Sequence, residues 1–345
     1  MATADITVRG AGIFGLSIAW VLACRGAQVQ VVDPNGLAAG ASGGIVGALA
    51  PHVPENWNPK KQFQLESLLM AETFWAEVQQ AGGISPGYAR TGRCQPIADE
   101  PALTLALQRV ETAKNLWGKN ATWTVRPIQN PEWAANSPTG MEIHDTLSAR
   151  IHPRHACHAL AAALASQGVD ILTDAPETDI TVHATGVVGL DQLNAGRTRM
   201  VGAGIKGQAA LLDFAAPDAP QLFADTLHII PHADGTTAIG STTEREYDDA
   251  TSTDRQLDDI VARARAAIPA LKNAKVIAKW AGLRPRSRSR APMLGPWPGR
   301  PGHFIANGGF KIGFGMAPKV AHTMADLILD GHDTIPQGFE VQASL

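Results

Sequence analysis

Residues 5–33 read DITVRGAGIFGLSIAWVLACRGAQVQVVD, and this order of residue types predicts a strand, a glycine turn, a helix and a second strand. Residues 5–9 alternate between apolar and polar side chains, as a short strand does, and apolar residues recur at helical spacing over residues 13–25. Residues 28–33 then form a strand that ends on an acidic side chain. Such a strand, helix and strand unit predicts a Rossmann-type α/β fold.

The glycines of this unit stand where a bound dinucleotide requires them. Gly10 permits a tight turn, Gly12 allows the backbone to approach a pyrophosphate, and Gly15 allows the helix to pack closely on the strand. The first turn of the helix offers amide groups and a favourable dipole to the phosphates. Asp33, eighteen residues beyond Gly15, is placed to accept a hydrogen bond from a ribose hydroxyl. The motif predicts dinucleotide binding and leaves open whether the dinucleotide is NAD or FAD.

A run of small residues follows at 40–51, with the sequence GASGGIVGALAP. Without bulky side chains, its backbone could lie against a flat ring system or a second phosphate group. Composition alone fits a flexible surface loop equally well. The segment is therefore a candidate second contact to the dinucleotide.

Four segments together resemble one family of flavoproteins. They are ASGGIVGALAP (residues 41–51), GTTAIGST (residues 235–242), WAGLRP (residues 280–285) and GGFKIG (residues 308–313). In order and spacing they are similar to the FAD-dependent D-amino-acid oxidase, glycine oxidase and sarcosine oxidase family, and they cover most of the chain. The resemblance implies FAD rather than NAD. It also implies non-covalent attachment, because no cysteine lies near Lys311, where sarcosine oxidases place theirs.

The resemblance implies an α/β fold with an α+β second domain, in which a discontinuous Rossmann-type FAD-binding domain is interrupted by an antiparallel-sheet substrate domain. The expected segments are residues 1–50, 141–212 and 286–345 for the FAD-binding domain and residues 51–140 and 213–285 for the substrate domain. Apolar spacing predicts further helices at residues 61–81, 101–117, 153–167, 255–268 and 317–330.

One segment departs from the family pattern. Family members carry a small β-meander between the strands expected here at residues 169–173 and 182–185, whereas only residues 174–181 separate them. A turn therefore replaces the meander, and adenine contacts cannot be carried over to this region.

The expected FAD-binding residues come from the glycine unit and from the segments that carry the resemblance. They are Gly10, Gly12, Ile13, Phe14, Gly15, Asp33, Ala41, Ser42, Gly47, Ala48, Leu49, Gly186, Gly308, Gly309, Phe310 and Ile312.

Composition limits the class of protein. Of 345 residues, 45% are hydrophobic and 18% are charged, with a formal net charge of −3, which favours a globular protein and disfavours a strongly basic nucleic-acid-binding one. Cys24, Cys94 and Cys157 are widely spaced, which predicts neither a disulfide framework nor a zinc ribbon. The first residues show no basic region before the first strand, and no uncharged apolar stretch is long enough to span a bilayer. We expect a cytoplasmic protein without membrane attachment.

The charge is unevenly distributed along the chain. Residues 260–325 contain twelve Lys or Arg side chains and no Asp or Glu. A positive field over a cleft would concentrate an anionic ligand, whereas a solvated basic face beside acidic neighbours is the alternative.

Arg284 is the sharpest catalytic candidate in that stretch, because a guanidinium fork can hold a carboxylate through two parallel hydrogen bonds. The arginine of the family's GLRP motif anchors the substrate carboxylate, and Arg284 resembles it. Lys311 stands where glycine oxidases carry an arginine and resembles the carboxylate-binding lysine of sarcosine oxidases. Arg286, Arg288 and Arg290 alternate with small residues, and we expect surface and ion-pair roles for them.

Two further residues are weaker candidates. Tyr247 is one of only two tyrosines, and tyrosines help to orient substrate in D-amino-acid oxidases, yet its position does not match their motifs clearly and an ordinary loop role explains it better. His52 follows the small-residue segment, so it could reach the flavin or simply satisfy loop backbone groups.

Histidines at positions 144, 152, 155 and 158, together with Cys157, suggest a metal site. No carboxylate is spaced to complete one, and ligands three residues apart drift around a helix instead of converging. We therefore expect no metal.

These features predict an FAD-dependent enzyme that oxidises the C–N bond of glycine, an N-methylated glycine or a D-amino acid, with oxygen or another acceptor reoxidising the flavin. Two alternatives stay open. The ASGG-x-x-GAL-x-P segment also resembles the flavin-dependent half of the enzyme that modifies wobble uridine in tRNA. Against this alternative, WAGLRP favours the amino-acid oxidases, and we expect no nucleic-acid partner. A non-catalytic flavin-binding regulator would keep the glycine motif without needing Arg284.

Overall fold

The predicted nucleotide-binding unit is present, and it starts a fold built on two large sheets. The structure is a computed structural model that describes residues 5–345. In chain order the strands are β1 (Ile6–Arg9), β2 (Val29–Val32), β3 (Ala48–Leu49), β4 (Arg93–Pro96), β5 (Trp123–Pro127), β6 (Met141–Asp145), β7 (Ala149–Arg150), β8 (Ile171–Leu172), β9 (Ile180–His183), β10 (Gly202–Asp213), β11 (Gln221–Ala224), β12 (Leu227–Pro231), β13 (Thr237–Gly240), β14 (Lys275–Ser287), β15 (Met293–Pro296) and β16 (His303–Asn307). The helices are α1 (Ile13–Cys24), α2 (Pro59–Gly82), α3 (Glu100–Trp117), α4 (Pro153–Ser166), α5 (Gly186–Asn194), α6 (Arg255–Ala267) and α7 (Gly313–Asp330).

The first sheet has the strand order β15-β16-β9-β1-β2-β8 and is parallel except for β15. Helix α1 is buried almost all round because it packs against α4 and α7 as well as the sheet. The buried Val8, Val31 and Val182 of the sheet join the same apolar core. This arrangement brings the carboxyl ends of β1, β2, β9 and β16 to one edge, where open α/β sheets bind ligands.

The second sheet has the order β14-β10-β13-β12-β11-β4-β6-β5 and is antiparallel except for the parallel pair β4 and β11. Helix α6 covers it with one apolar side, which carries the buried Leu257, Ile260 and Val261. The expected FAD-binding segment 141–212 contains β6 and most of β10, and both strands pair within this second sheet. Strand β14 also stays in this sheet beyond residue 285, up to Ser287.

The connection between β8 and β9 is a short loop of residues 173–179, and residues 180 and 181 of the expected turn belong to β9. Thr178 Oγ1 lies 3.0 Å from Thr7 Oγ1 on β1. The Gln30 amide donates to Thr7 Oγ1 at 2.8 Å and to the Pro176 carbonyl at 2.7 Å. A small set of hydroxyl and amide contacts thus ties this loop to one face of the first sheet.

The predicted helices are present with shifted ends, and α5 was not predicted. Helix α7 begins at Gly313, four residues before the expected start at 317, so Pro318 lies inside the helix instead of in its first turn. Helix α2 has a strong start, because Asn58 accepts from the Lys61 N–H and Pro59 occupies the first turn. No helix within residues 5–345 is both long and apolar enough to cross a membrane.

Candidate active site

A cavity of about 1380 Å³ runs between the two sheets. It is larger than the ~300–1,000 Å³ of a typical small-ligand pocket. Most of the predicted residues line it: Gly10, Gly12, Ile13, Phe14, Asp33, Ala41, Ser42, Ala48, Gly186, Arg284, Gly308, Gly309, Phe310, Lys311 and Ile312. The nucleotide-binding edge of the first sheet and the cationic residues of β14 therefore face the same space.

Three of the expected cofactor contacts lie behind the cavity wall and support it. A side chain at Gly15 would place its Cβ 1.9 Å from the Gly10 carbonyl oxygen, so glycine is needed for the close packing of α1 on β1. At Gly47 a Cβ would lie 1.7 Å from the Ile151 carbonyl oxygen. Leu49 is fully buried in the core. These residues shape the cavity wall from behind.

The two weaker candidates are also absent from the cavity lining. The backbone N–H of His52 donates to Gln64 Oε1 at 2.8 Å, and the His52 ring contacts the same oxygen. Burial lowers the pKa of His52, which makes the neutral ring the stable form at neutral pH. Tyr247 lies in the loop between β13 and α6 with 36% of its surface exposed. Within residues 5–345, neither His52 nor Tyr247 forms a hydrogen bond with Arg284 or Lys311.

The nucleotide end of the cavity is built from backbone amides and two oxygen acceptors. Asp33 accepts from the Ala11 N–H at 2.8 Å through Oδ2 and from the Asn35 N–H at 2.9 Å through Oδ1. Ser42 Oγ accepts from the Ile13 N–H at 2.9 Å. The Ser42 bond joins the small-residue segment to the first turn of α1, where phosphate groups bind.

The lining fits FAD, the group that the family resemblance implies. A Cβ at Gly309 would lie 2.9 Å from the Phe14 ring, and one at Gly12 would lie 3.1 Å from Ser42 Oγ. These glycines keep a path open along the first turn of α1, while Gly308 adopts φ +75° and turns the chain into the next segment. A backbone-lined channel of this kind suits a pyrophosphate and a flat ring system.

Arg284 projects from β14 into the other end of the cavity and is 8% exposed. Its Nη1 donates to Ser241 Oγ at 2.6 Å, and its Nη2 donates to the carbonyls of Thr242 at 2.6 Å and Lys206 at 3.3 Å. Burial lowers the pKa of Arg284 to about 10, so the side chain is still charged at neutral pH. Backbone carbonyls take both N–H groups of Nη2, so the expected two-pronged fork is not free. The second N–H of Nη1 is left for a ligand, and the buried Nε has no hydrogen-bond partner among residues 5–345.

Gly207 makes room for this arginine, although no sequence pattern marks it as a site residue. Gly207 lies on β10, diagonally across from Arg284 in the antiparallel pair with β14. A Cβ at Gly207 would lie 1.8 Å from Nη2 and 2.2 Å from Cζ of Arg284. The guanidinium therefore rests directly on the bare backbone of β10.

Lys311 and Arg284 both lie close to the ring of Phe310. Lys311 Nζ lies 5.9 Å and Arg284 Cζ 5.8 Å from the centre of the Phe310 ring. Nζ donates to Thr243 Oγ1 at 2.7 Å. Desolvation first, then Arg284 and Arg286, lower the pKa of Lys311 to about 8, although its exposed surface faces the cavity. Two cations thus converge on one end of the cavity.

The sequence profile of the FAD dependent oxidoreductase family matches residues 5–327. This chain belongs to that family. The membership confirms the expected FAD dependence and oxidoreductase activity, and it excludes NAD as the resident dinucleotide. FAD supplies the electron acceptor, and the residues that would hold it are those of the glycine unit, the Ser42 segment and the Gly308 turn.

This FAD-dependent oxidoreductase has relatives of known activity. It is 28% identical over 360 residues to a glycine oxidase of Pseudomonas putida, with 94% of each chain covered. In fold it is similar to the glycine oxidase of Geobacillus kaustophilus, with a TM-score of 0.83 at 21% identity and 98% of each chain covered. An iminodiacetate oxidase from Chelativorans sp. BNC1 is similar in fold, with a TM-score of 0.83 at 22% identity over 96% of this chain and 97% of that one.

A buried polar network supports Arg284 in this oxidoreductase. Glu244 is 6% exposed and accepts from Thr242 Oγ1 and from the Gln208 amide at 3.1 Å. Lys206 Nζ lies 3.7 Å from Glu244 and 3.5 Å from Asp254. The network fixes the Thr242 and Lys206 carbonyls that hold Nη2 of Arg284.

Sequence reasoning missed most of this support. Ser241, which contacts Arg284, belongs to the GTTAIGST segment that was noted only for the family resemblance. Thr243, which contacts Lys311, lies one residue beyond that segment. Trp280 lines the cavity, and a Cβ at Gly282 would lie 2.6 Å from the Trp280 ring. The alternation of Trp280, Gly282 and Arg284 along β14 was the available signal for one shared face.

The sequence predicts no metal site, yet the structure brings possible metal ligands together in two places. His152, His155 and Asp234 bring three possible ligand atoms together, as do Glu177, His183 and His303. His158 belongs to neither group. The His152 side chain accepts from the His155 N–H at 3.4 Å and caps the start of α4. Capping gives His152 a role without metal. Cys24, Cys94 and Cys157 are free thiols, as expected.

Proposed function

We propose that this FAD-dependent oxidoreductase oxidises the C–N bond of a small amino acid, such as glycine, an N-methylated glycine or a D-amino acid. The observation that carries the proposal is the pair of cations, Arg284 and Lys311, at the end of the same cavity that holds the FAD-binding residues. A carboxylate bound between them would be fixed beside the flavin. The similarity to a glycine oxidase over 94% of the chain supports the same substrate class.

The carboxylate contacts differ from a simple arginine fork. Nη1 of Arg284 has a second N–H beyond the one given to Ser241. The Ser241 hydroxyl accepts from Arg284, which leaves its own hydrogen to donate. Lys311 has two more ammonium hydrogens after its bond to Thr243. Three donors on three separate side chains would therefore hold the two carboxylate oxygens.

These contacts fix the position of the substrate α-carbon. Bound FAD would supply the hydride acceptor for the oxidation at that carbon. The oxidation converts the amine to an imine, which water hydrolyses to a keto acid and an amine or ammonia. The protein contributes orientation: Arg284, Ser241 and Lys311 hold the carboxylate, while Phe310 and Trp280 wall the cavity around the reacting atoms.

The test is anaerobic reduction of the bound flavin by glycine, sarcosine, proline and D-amino acids. We expect at least one of these amines to reduce it, and Arg284→Ala to lower kcat/KM by about 10²-fold, the equivalent of one charge-assisted hydrogen bond of ~1.5–3 kcal/mol. Arg25→Ala is the control, because that arginine pairs with Asp326 and Asp330 and none of the three lines the cavity.

Three outcomes would contradict the proposal. If the flavin of an Arg284→Ala protein is reduced as fast as that of wild type, Arg284 does not hold the substrate carboxylate. Flavin that no amine reduces would favour a non-catalytic flavin-binding regulator. Reduction that depends on added tRNA, with steeply salt-dependent binding, would favour the RNA-modifying alternative.

A further inference from the structure

The cation pair at the substrate end is part of a larger cationic cluster, which we define as Lys60, Arg245, Arg286, Arg290 and Lys311. Arg286 Cζ lies 5.4 Å from the centre of the Phe310 ring, closer than Arg284 Cζ at 5.8 Å. The Lys60 ammonium donates to the Arg290 carbonyl. Phe310, which lines the cavity, therefore connects the cluster to Arg284.

The cluster is unpaired within residues 5–345. None of its members, and not Arg284 either, has a carboxylate within 4.0 Å, whereas Arg25, Arg93, Arg109 and Arg263 each do. The buried Glu244 near Arg284 is held by Lys206.

Other acids stand on the same loop as Arg245, between β13 and α6. Of these, Asp249 binds Thr251, and Asp254 pairs with Lys206 and caps α6. Glu246 and Asp248 form no ion pair in the described part of the chain. The positive charge beside the cavity is thus left without a carboxylate partner.

Mutual repulsion acts inside the cluster. Desolvation and the charges of Arg290 and Arg286 lower the pKa of Lys60. Desolvation and the charges of Arg290 and Arg245 lower the pKa of Arg286. Like charges held close together destabilise the unliganded site, and an anion that binds among them relieves this repulsion.

One substrate carboxylate does not use all of this charge. Under the proposed function it is bound by Arg284, Ser241 and Lys311, and Arg286 is left over. Arg286 lies two residues beyond Arg284 on β14, so the two side chains leave the same face of the strand about 7 Å apart. Arg286 is not part of the cavity lining, but its Cζ lies 5.4 Å from the ring of Phe310, which is. A second anionic group that extends past Phe310 would reach Arg286 while the first carboxylate stays on Arg284.

We propose that the preferred substrate is an amine that carries two anionic groups, with the second carboxylate on a short arm from the nitrogen or from the α-carbon. This inference rests on the proposed function and narrows its substrate class. The first group binds Arg284 and Lys311, and the second binds Arg286 in the field of Lys60, Arg245 and Arg290. The reaction itself is unchanged: the C–N bond is oxidised, FAD takes the hydride, and water releases the keto acid.

Binding without turnover tests the second anion site directly. The oxidised FAD-loaded protein is titrated with acetate, malonate and succinate, and binding is followed by the change in flavin absorbance. We expect at least one dicarboxylate to bind tenfold or more tightly than acetate. Arg286→Gln should reduce this ratio several-fold, and Arg286→Lys should restore part of it because the charge returns. Lys279→Gln removes one charge from the same strand, in an exposed pair with Asp258, and should leave the ratio unchanged.

Turnover separates this inference from the proposed function. The kcat/KM values for iminodiacetate and D-aspartate are compared with those for glycine and sarcosine, and we expect one of the dicarboxylates to exceed both monocarboxylates. Preference for glycine or sarcosine, or equal affinity for acetate and both dicarboxylates, would overturn the second anion site and leave the proposed function standing. If no amine reduces the flavin, or if only tRNA promotes its reduction, both proposals are overturned.

Discussion

A methyl group added at Gly207 should disable the substrate anchor without touching the substrate or the FAD-binding residues. In Gly207→Ala the new carbon would lie 1.8 Å from Nη2, 2.2 Å from Cζ and 2.8 Å from Nη1 of Arg284. Non-bonded carbon contacts are normally ~3.5 Å or longer. The guanidinium must therefore move by more than ~1 Å and give up at least part of its bonding to the Thr242 and Lys206 carbonyls.

A displacement of ~1 Å at a positioning group costs about 10²-fold in rate, or roughly 2.7 kcal/mol of transition-state stabilisation. We expect kcat/KM for the best amine substrate to fall by that factor in Gly207→Ala. The assay is anaerobic flavin reduction by rapid mixing, with FAD content and thermal unfolding measured in parallel. Both should stay near wild type, because alanine is at least as compatible with a strand as glycine.

The double variant Gly207→Ala with Arg284→Ala isolates the mechanism. If the methyl group acts only through the guanidinium, the double variant has the rate of Arg284→Ala alone, and the coupling free energy equals the whole effect of the first substitution. A Gly207→Ala protein with full FAD content and unchanged kcat/KM would refute the reasoning. So would a double variant whose two losses simply add.

Three further predictions concern other parts of the cavity. Acetate affinity of the oxidised holoprotein should fall as pH rises through about 8, because the Lys311 ammonium is present below its pKa and lost above it. The Lys311→Arg protein should bind acetate up to higher pH, and identical pH profiles for the two proteins would contradict this prediction. Ser42→Ala removes the acceptor of the Ile13 N–H and should raise the FAD dissociation constant about fivefold (~1 kcal/mol), measured by flavin fluorescence on titrating apoprotein. Gly15→Ala should destabilise the apoprotein by ~1–3 kcal/mol in thermal unfolding, while Gly40→Ala, whose Cβ meets no atom within 4 Å, should not.

Local rules were enough to predict the nucleotide end of the site. Glycine spacing and apolar periodicity predicted β1, α1 and β2 to within a residue or two, and they placed Asp33 at the end of β2. Each of these features depends on residues close together in sequence. The cofactor could be narrowed to FAD only through resemblance, because the phosphate-binding turn has the same geometry for both dinucleotides.

The substrate end depends on contacts between distant segments, and this limited its prediction. Arg284 was expected, but the partners that hold it lie in two distant segments: Ser241 and Thr242 in the loop after β13, and Gly207 on β10. No local pattern marks a glycine as the floor of an arginine pocket. The alternation of side chains along β14 indicates which of its residues face the pocket, whereas no sequence pattern identifies β10 as its partner strand.

The same limit applies to the sheet that each strand joins. Strands β6 and β10 have ordinary strand sequences, and the sheet that a strand joins is decided by its pairing partners, which lie far away in the chain. Helix α5 was missed because it is short and has glycines at positions 186 and 189. Glycine there lowers helix propensity, so packing against β10 and β14 decides its formation.

The pairing of β10 with β14 has a consequence for how this site can change. Their register shifts once, between Leu211 and Leu212, and is regular from there to Ser287. Adding or deleting one residue of β14 within the regular part would turn Arg284 away from the cavity and bring Leu283 or Pro285 into its place, since neighbouring side chains face opposite ways. New substrates are therefore accessible by exchanging side chains along this strand, while changes in length are tolerated only in the loops, such as the one between β13 and α6.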